Sequence, residues 1–254
     1  MIFDTHAHYD DEAFAKDREE LLQSMRENEI DYIVNVGSSL KTSRQTIDLI
    51  SKHDFMLGAV GVHPSDTAEL NEDNIDLIRE MLRNDKVVAL GEIGLDYYWD
   101  EPDRYIQKKW FERQIYIAKE EKKPIIYHSR EAAKDTLDII KYTNAQEVGG
   151  VIHCFSYGVE MAREYLNRGY YIGVGGVVTF KNAKKLKEVV EFTPLENILL
   201  ETDCPYLSPE PYRGKRNDST RLKYVIDAIA NIKGIEREKV TEITCNNAKT
   251  MYKI

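Results

Sequence analysis

Two features that would fix a protein's compartment at a glance are missing from this chain: a paired-cysteine motif and a long apolar run. Its three cysteines, Cys154, Cys204 and Cys245, show no Cys-X-X-Cys spacing and leave one unpaired, so free thiols in a reducing compartment are expected instead of a disulfide framework. No stretch is apolar over the ~20 residues that a membrane-spanning helix needs, and neither a basic lead nor an apolar segment of signal length precedes the first strand-like run. A cytoplasmic protein without membrane attachment is expected. Basic charge is also scarce: 35 Lys and Arg stand against 44 Asp and Glu, a formal net charge of -9. That argues against nucleic acid held on a broad basic surface, so any polyanion must be gripped locally. A Pro/Gly-rich linker, a low-complexity tract and a residue-level repeat are absent as well.

What remains is an ordinary soluble composition, 42% apolar and 31% charged over 254 residues, enough for a full core. The length suits one barrel-type domain or two small ones, and without a linker residues 1–254 read as one. Strand-like runs lie near Ile2 to Asp4, Tyr32 to Val36, Met56 to Val60, Val87 to Ile93, Pro124 to His128, Gly150 to His153, Tyr170 to Val174 and Ile198 to Thr202. Between them apolar residues recur at helical spacing, as in Ile75, Ile78 and Leu82, in Ile106, Trp110 and Ile117, and in Leu222, Val225, Ile226 and Ile229. Apolar strands alternating with amphipathic helices imply a parallel sheet covered by helices. Eight such units in about 250 residues match a closed (β/α)8 barrel of TIM type. An open doubly wound sheet would want a Gly-rich phosphate fingerprint after its first strand, and none is there. A last helix, from about Glu238 to Tyr252, is expected to cover the outside of the barrel.

In such a barrel the chemistry gathers where strands end. His6 and His8 end the first strand, one residue apart, so the period of two turns both to the same side. His63 follows the third strand, Glu92 ends the fourth, His128 the fifth, His153 the sixth and Asp203 the eighth. Five of the six histidines and two carboxylates therefore fall on one rim. Four histidines, a Glu and an Asp exceed the needs of one tetrahedral ion with an open position, and suit two divalent ions bridged by a carboxylate. Such a pair activates water for hydrolysis, most naturally of a phosphate ester. Zinc, manganese, nickel and magnesium all accept these donors.

The motifs Asp4-Thr5-His6-Ala7-His8, Gly61-Val62-His63-Pro64, Gly91-Glu92-Ile93-Gly94-Leu95-Asp96-Tyr97, His128-Ser129-Arg130-Glu131-Ala132, His153-Cys154-Phe155-Ser156, Leu200-Glu201-Thr202-Asp203 and Tyr212-Arg213-Gly214-Lys215-Arg216-Asn217 come in an order that resembles the TatD family of metal-dependent DNases, in the amidohydrolase superfamily. The resemblance implies a TIM-like barrel in which His6, His8, Glu92 and Asp203 hold one ion and Glu92, His128 and His153 the other. It places Asp203 to take the proton of the attacking water, and implies 3′-to-5′ exonuclease activity on DNA or, as in some relatives, ester hydrolysis on aminoacylated tRNA. His63, Arg130, Arg213, Lys215 and Arg216 are then candidate contacts to a substrate phosphate. Two rim positions depart from the family pattern: Asp218-Ser219 stands where an acidic residue and proline are common, and Tyr157 where glycine is usual.

Other readings follow from position. Cys154 and Cys204 should turn away from the ligands they follow, toward the helices. Lys184 and Lys185 belong to the solvent face of a helix, with Lys181 at its start the one lysine in reach of substrate. His53 reads as a solvated residue late in a helix. Tyr97, Tyr98 and Trp99 can stack on bases or simply pack over the barrel mouth. Two rivals to a nuclease remain: a carboxylic ester or amide hydrolase on the same ions, and a metal-containing scaffold without turnover.

Overall fold

The apolar runs form eight parallel strands that neighbour one another in chain order. The structure, a computed structural model, describes residues 1–254. Strands β1 (Ile2–Ala7), β2 (Ile30–Val36), β3 (Met56–Val60), β4 (Val87–Asp96), β5 (Ile125–Arg130), β6 (Gly150–Ile152), β7 (Tyr171–Val174) and β8 (Ile198–Leu200) alternate with helices α1 (Arg18–Gln23), α2 (Leu40–Ile50), α3 (Glu72–Leu82), α4 (Arg104–Glu120), α5 (Ala133–Tyr142), α6 (Val159–Leu166), α7 (Lys184–Phe192) and α8 (Leu222–Lys233). A bridge between Ala7 and Cys204 joins the last strand's end to the first, and the His8 amide donates to the Cys204 carbonyl at 2.9 Å. This is the expected (β/α)8 barrel. Helices cover its outside, which is why strands read as unbroken apolar runs: all ten residues of β4 are buried.

The helical stripes meet the sheet as their spacing requires, with Ile75, Ile78 and Leu82 of α3 and Leu222, Val225, Ile226 and Ile229 of α8 buried. Side-chain caps start three of the helices, α2, α3 and α4. Ser39 and Thr42 cap the first turn of α2 reciprocally, as Asn71 and Asn74 do for α3.

Inside the barrel a separate apolar cluster includes Phe3, Val36, Ala59, Ile126, Val151 and Leu199. Ile126 and Val151 stand two residues before His128 and His153, so this layer lies directly beneath the rim. Cys245, Ala248, Met251 and Tyr252 of a ninth helix, α9 (Arg237–Tyr252), belong to the same inner cluster. The Tyr252 hydroxyl donates to the Thr5 carbonyl at 2.9 Å, and Asn247 Nδ2 to the carbonyls of Leu195 and Ile198 at the start of β8. The expected last helix therefore closes the barrel floor instead of covering its outside. With α8 the outer ring is already complete, and the floor offers the apolar surface still to be covered.

Strand ends shift too. β1 runs on to Ala7, whereas β8 stops at Leu200 because the amides of Thr202 and Asp203 turn to the His6 carbonyl, at 3.3 and 2.9 Å. No helix is long and apolar enough to cross a membrane.

Candidate metal centre

The strand ends bring six predicted ligands to one place. His6 Nε2 lies 3.1 Å from His8 Nε2, 3.5 Å from Glu92 Oε2 and 3.8 Å from Asp203 Oδ1. On the other side of the same carboxylate, Glu92 Oε1 is 2.7 Å from His128 Nδ1 and 3.8 Å from His153 Nε2. Asp203 Oδ1 reaches His8 Nε2 at 3.3 Å and His153 Nε2 at 3.6 Å. Glu92 thus turns one oxygen to each half of the cluster, the disposition a bridging carboxylate needs.

The donors suit divalent cations. Every ion-pair partner of Glu92 and Asp203 is a histidine, and the ligand atoms of His6, His8 and Asp203 lie within 4.8 Å of one another. The far ring nitrogens are mostly anchored, as those of metal-bound imidazoles usually are. His8 Nδ1 donates to the Val36 carbonyl at 2.8 Å, His128 Nε2 meets Asp96 Oδ2 at 3.0 Å, and His153 Nδ1 meets Glu201 Oε2 at 3.0 Å. His6 Nδ1 is buried without a partner. Two glycines make room for this scaffold. A Cβ on Gly94 would run into the His128 carbonyl, and one on Gly173 into the Glu201 carboxylate.

Electrostatics follow from the crowding. Burial alone would raise Glu92, yet His153, His128 and His6 hold it well below the usual carboxylate range. Asp203 is likewise lowered against burial, by His8, His153 and His6. Burial opposes protonation of His8 and His153, but Asp203 lifts the first to about 9, and Glu201 with Glu92 lifts the second to about 10. Those two protons stand where cations would supply the positive charge, and ion binding must displace them.

Asp96 and Glu201 were not among the predicted site residues. Glu201 precedes Asp203 by two residues and Asp96 follows Glu92 by four, so the period of two already set both on the ligand face. Cys154 corrects the expected alternation: a backbone φ of 45° turns its thiol into the cavity, near His153 and Asp203, instead of toward the helices. Cys204 is fully buried.

The cavity over the ligands has a volume of about 940 Å³, and His63 and Arg130 line it. His63 caps the short helix Pro64–Glu69, its Nδ1 accepting from the Ser65 amide at 3.2 Å, and its ring stands edge-on to His128. Arg130 lies over the Tyr98 ring, 3.8 Å from the centroid. Arg213, Lys215 and Arg216 do not line this cavity. Arg216 is held by Asp17 at 2.6 and 2.7 Å, while Arg213 sits over Phe180 and Lys215 near Tyr212. Lys181 is exposed and precedes α7, which begins at Lys184. His53 lies past the end of α2 with its side chain only 11% exposed, 3.4 Å from Glu19. Tyr157 ties two rim loops together, its hydroxyl 2.9 Å from Ser129 Oγ and accepting from the Ala132 amide at 3.2 Å.

Comparison with known proteins gives a consistent picture. The sequence model of TatD related DNases matches residues 3–253. The chain is 44% identical over 254 residues to YabD of Bacillus subtilis, an uncharacterized metal-dependent hydrolase, with all of both chains covered. It is 34% identical over 260 residues to YcfH of Escherichia coli K12, another uncharacterized metal-dependent hydrolase, covering all of this chain and 96% of that one. Among solved structures, the TatD homolog YJJV from Escherichia coli K12 superposes with a TM-score of 0.94 at 28% identity, over 100% of this chain and 98% of the other.

Proposed function

The chain belongs to the TatD-related DNase family of metal-dependent hydrolases, and from that premise we propose that it is a 3′-to-5′ DNA exonuclease using two divalent ions per chain. The observation that carries the reading is Glu92, one oxygen facing His6 and the other facing His128 and His153 at the open mouth of the barrel. Two ions so held neutralise charge on a phosphodiester and lower the pKa of water toward neutrality.

The chain's own residues do the rest. Asp203 is the carboxylate that opens to the cavity, 19% exposed against 7% for Glu92, so it can take the proton of the attacking water and return it to the departing 3′-oxygen. His63, whose Nδ1 is occupied as an acceptor, carries its proton on Nε2 and offers it to a phosphate oxygen. Arg130 supplies a fixed positive charge at the same mouth.

The test is a time course on 5′-labelled single-stranded DNA, with chelator-stripped protein restored separately with magnesium, manganese, zinc or nickel. A ladder that shortens stepwise from the 3′ end, only with metal and not with Asp203→Ala or Glu92→Ala protein, is expected. No shortening by protein shown to hold two ions would turn the reading to carboxylic esters or amides.

A further inference from the structure

Two large aromatic side chains stand exposed at the mouth of the site, and neither is used by the metal centre. Trp99 is 65% exposed and Tyr206 is 56% exposed, and both line the cavity over the ligands. They follow β4 and β8, four strands apart in an eight-stranded ring, so they come from opposite sides of the barrel mouth. Each is held on a fixed support. The amides of Tyr98 and Trp99 donate to Asp96 Oδ1 at 3.0 and 3.2 Å, and the other oxygen of that carboxylate meets His128. Tyr206 donates its hydroxyl to Asp11 at 2.9 Å, and Leu207 and Val177 extend its side of the cavity with apolar surface.

Charge at the rim makes these rings more important. Asp10, Asp11, Glu12 and Asp66 line the cavity, against Lys41 and Arg130. A polyanion gains little there from attraction, whereas stacking on a neutral ring is indifferent to the sign of the rim. We propose that Trp99 and Tyr206 are the two jaws that grip unpaired bases flanking the scissile phosphate, making the enzyme selective for a strand end that carries its base. This rests on the nuclease reading above and names how that site recognises its substrate.

Two measurements test it on the full-length, metal-loaded protein. In the first, kcat/KM is compared for 5′-labelled oligonucleotides whose 3′-terminal residue either carries thymine or is a base-free tetrahydrofuran. Wild-type protein should favour the base by about tenfold, roughly what one stacked base contributes. Trp99→Ala and Tyr206→Ala should reduce that preference through KM, raising KM more for the base-bearing end than for the base-free one, and Trp99→Phe should restore it. In the second, thymidine 5′-monophosphate is titrated into Asp203→Asn protein while tryptophan emission is followed. Trp110 is 4% exposed, so Trp99 is the ring in reach of the nucleotide. Quenching by the nucleotide, absent with deoxyribose 5-phosphate and absent in a variant that also carries Trp99→Phe, is expected. If wild-type protein shortens DNA without regard to the terminal base, the jaws are overturned while the nuclease reading stands. If it shortens no DNA at all, both fall together.

Discussion

Glu201 faces no substrate, yet its two oxygens fix two parts of the site at once. Oε2 holds His153 Nδ1 at 3.0 Å and Oε1 accepts from the Cys154 amide at 2.6 Å. Glu201→Gln keeps the shape but leaves one acceptor oxygen for two donors, and removes the charge that favours a donor on His153 Nδ1. Loss of such an outer partner typically costs 10–100-fold in metal affinity. We expect a drop of about that size in competition with a chromophoric chelator, with an unchanged circular dichroism spectrum; full affinity in the variant would show that Glu201 is merely packed there. The residue was legible in principle. Asp96 and Glu201 sit four and two positions from Glu92 and Asp203, and strand alternation places each pair on one face. Cys154 was not legible, because its left-handed backbone breaks that alternation just where the strand ends.

At the scale of elements, the sequence carries the strands almost completely, since burial on both faces writes them as apolar runs that no surface pattern interrupts. It carries their ends poorly. The last residues of β8 read as strand until Thr202 and Asp203 turn their amides toward His6, a long-range choice invisible in local composition. The last helix shows the same limit: its apolar positions announce a buried face without saying what is buried against it. Because Tyr252 joins the inner cluster and bonds to Thr5, next to His6, the floor is a structural support for the rim. Tyr252→Ala should destabilise the protein by about 3–5 kcal/mol, the range for removing a large buried ring, as read from denaturant unfolding. Metal affinity of the folded variant should change little, since Ile126, Val151 and their neighbours lie between floor and ligands. A variant as stable as the wild type would place α9 outside the cooperative core.

For the molecule as a whole, the same two histidine protons couple stability, pH and metal. In stripped protein His8 and His153 hold protons up to about 9 and about 10, above the ordinary value of 6.5. A pKa raised on folding means that the native state binds the proton more tightly than the unfolded chain does. The resulting stability is complete below about 6.5 and disappears as pH climbs through 9 and 10. Asp4, raised to about 7 by burial, has largely finished titrating before that decline is steep, and Glu92 and Asp203 are already ionised, so the early part of the change belongs to the imidazoles, His128 among them, while toward pH 9 and above the buried thiols of Cys154 and Cys204, pushed well above their ordinary value, add to it. Divalent ions displace these protons and bind only the folded site, adding about 2.7 kcal/mol for each ion at a hundredfold excess over its Kd. Thermal unfolding from pH 7 to 10 should therefore show stripped protein melting lower throughout and losing ground with rising pH, while loaded protein stays level until its buried thiols, and after them its lysines, begin to titrate. Calorimetric titration at pH 7 in buffers of different ionisation enthalpy should show proton release on metal uptake. Parallel melting curves together with uptake that releases no protons would mean that the carboxylates do not hold these histidines protonated, and the charge balance assigned to the site would have to be redrawn.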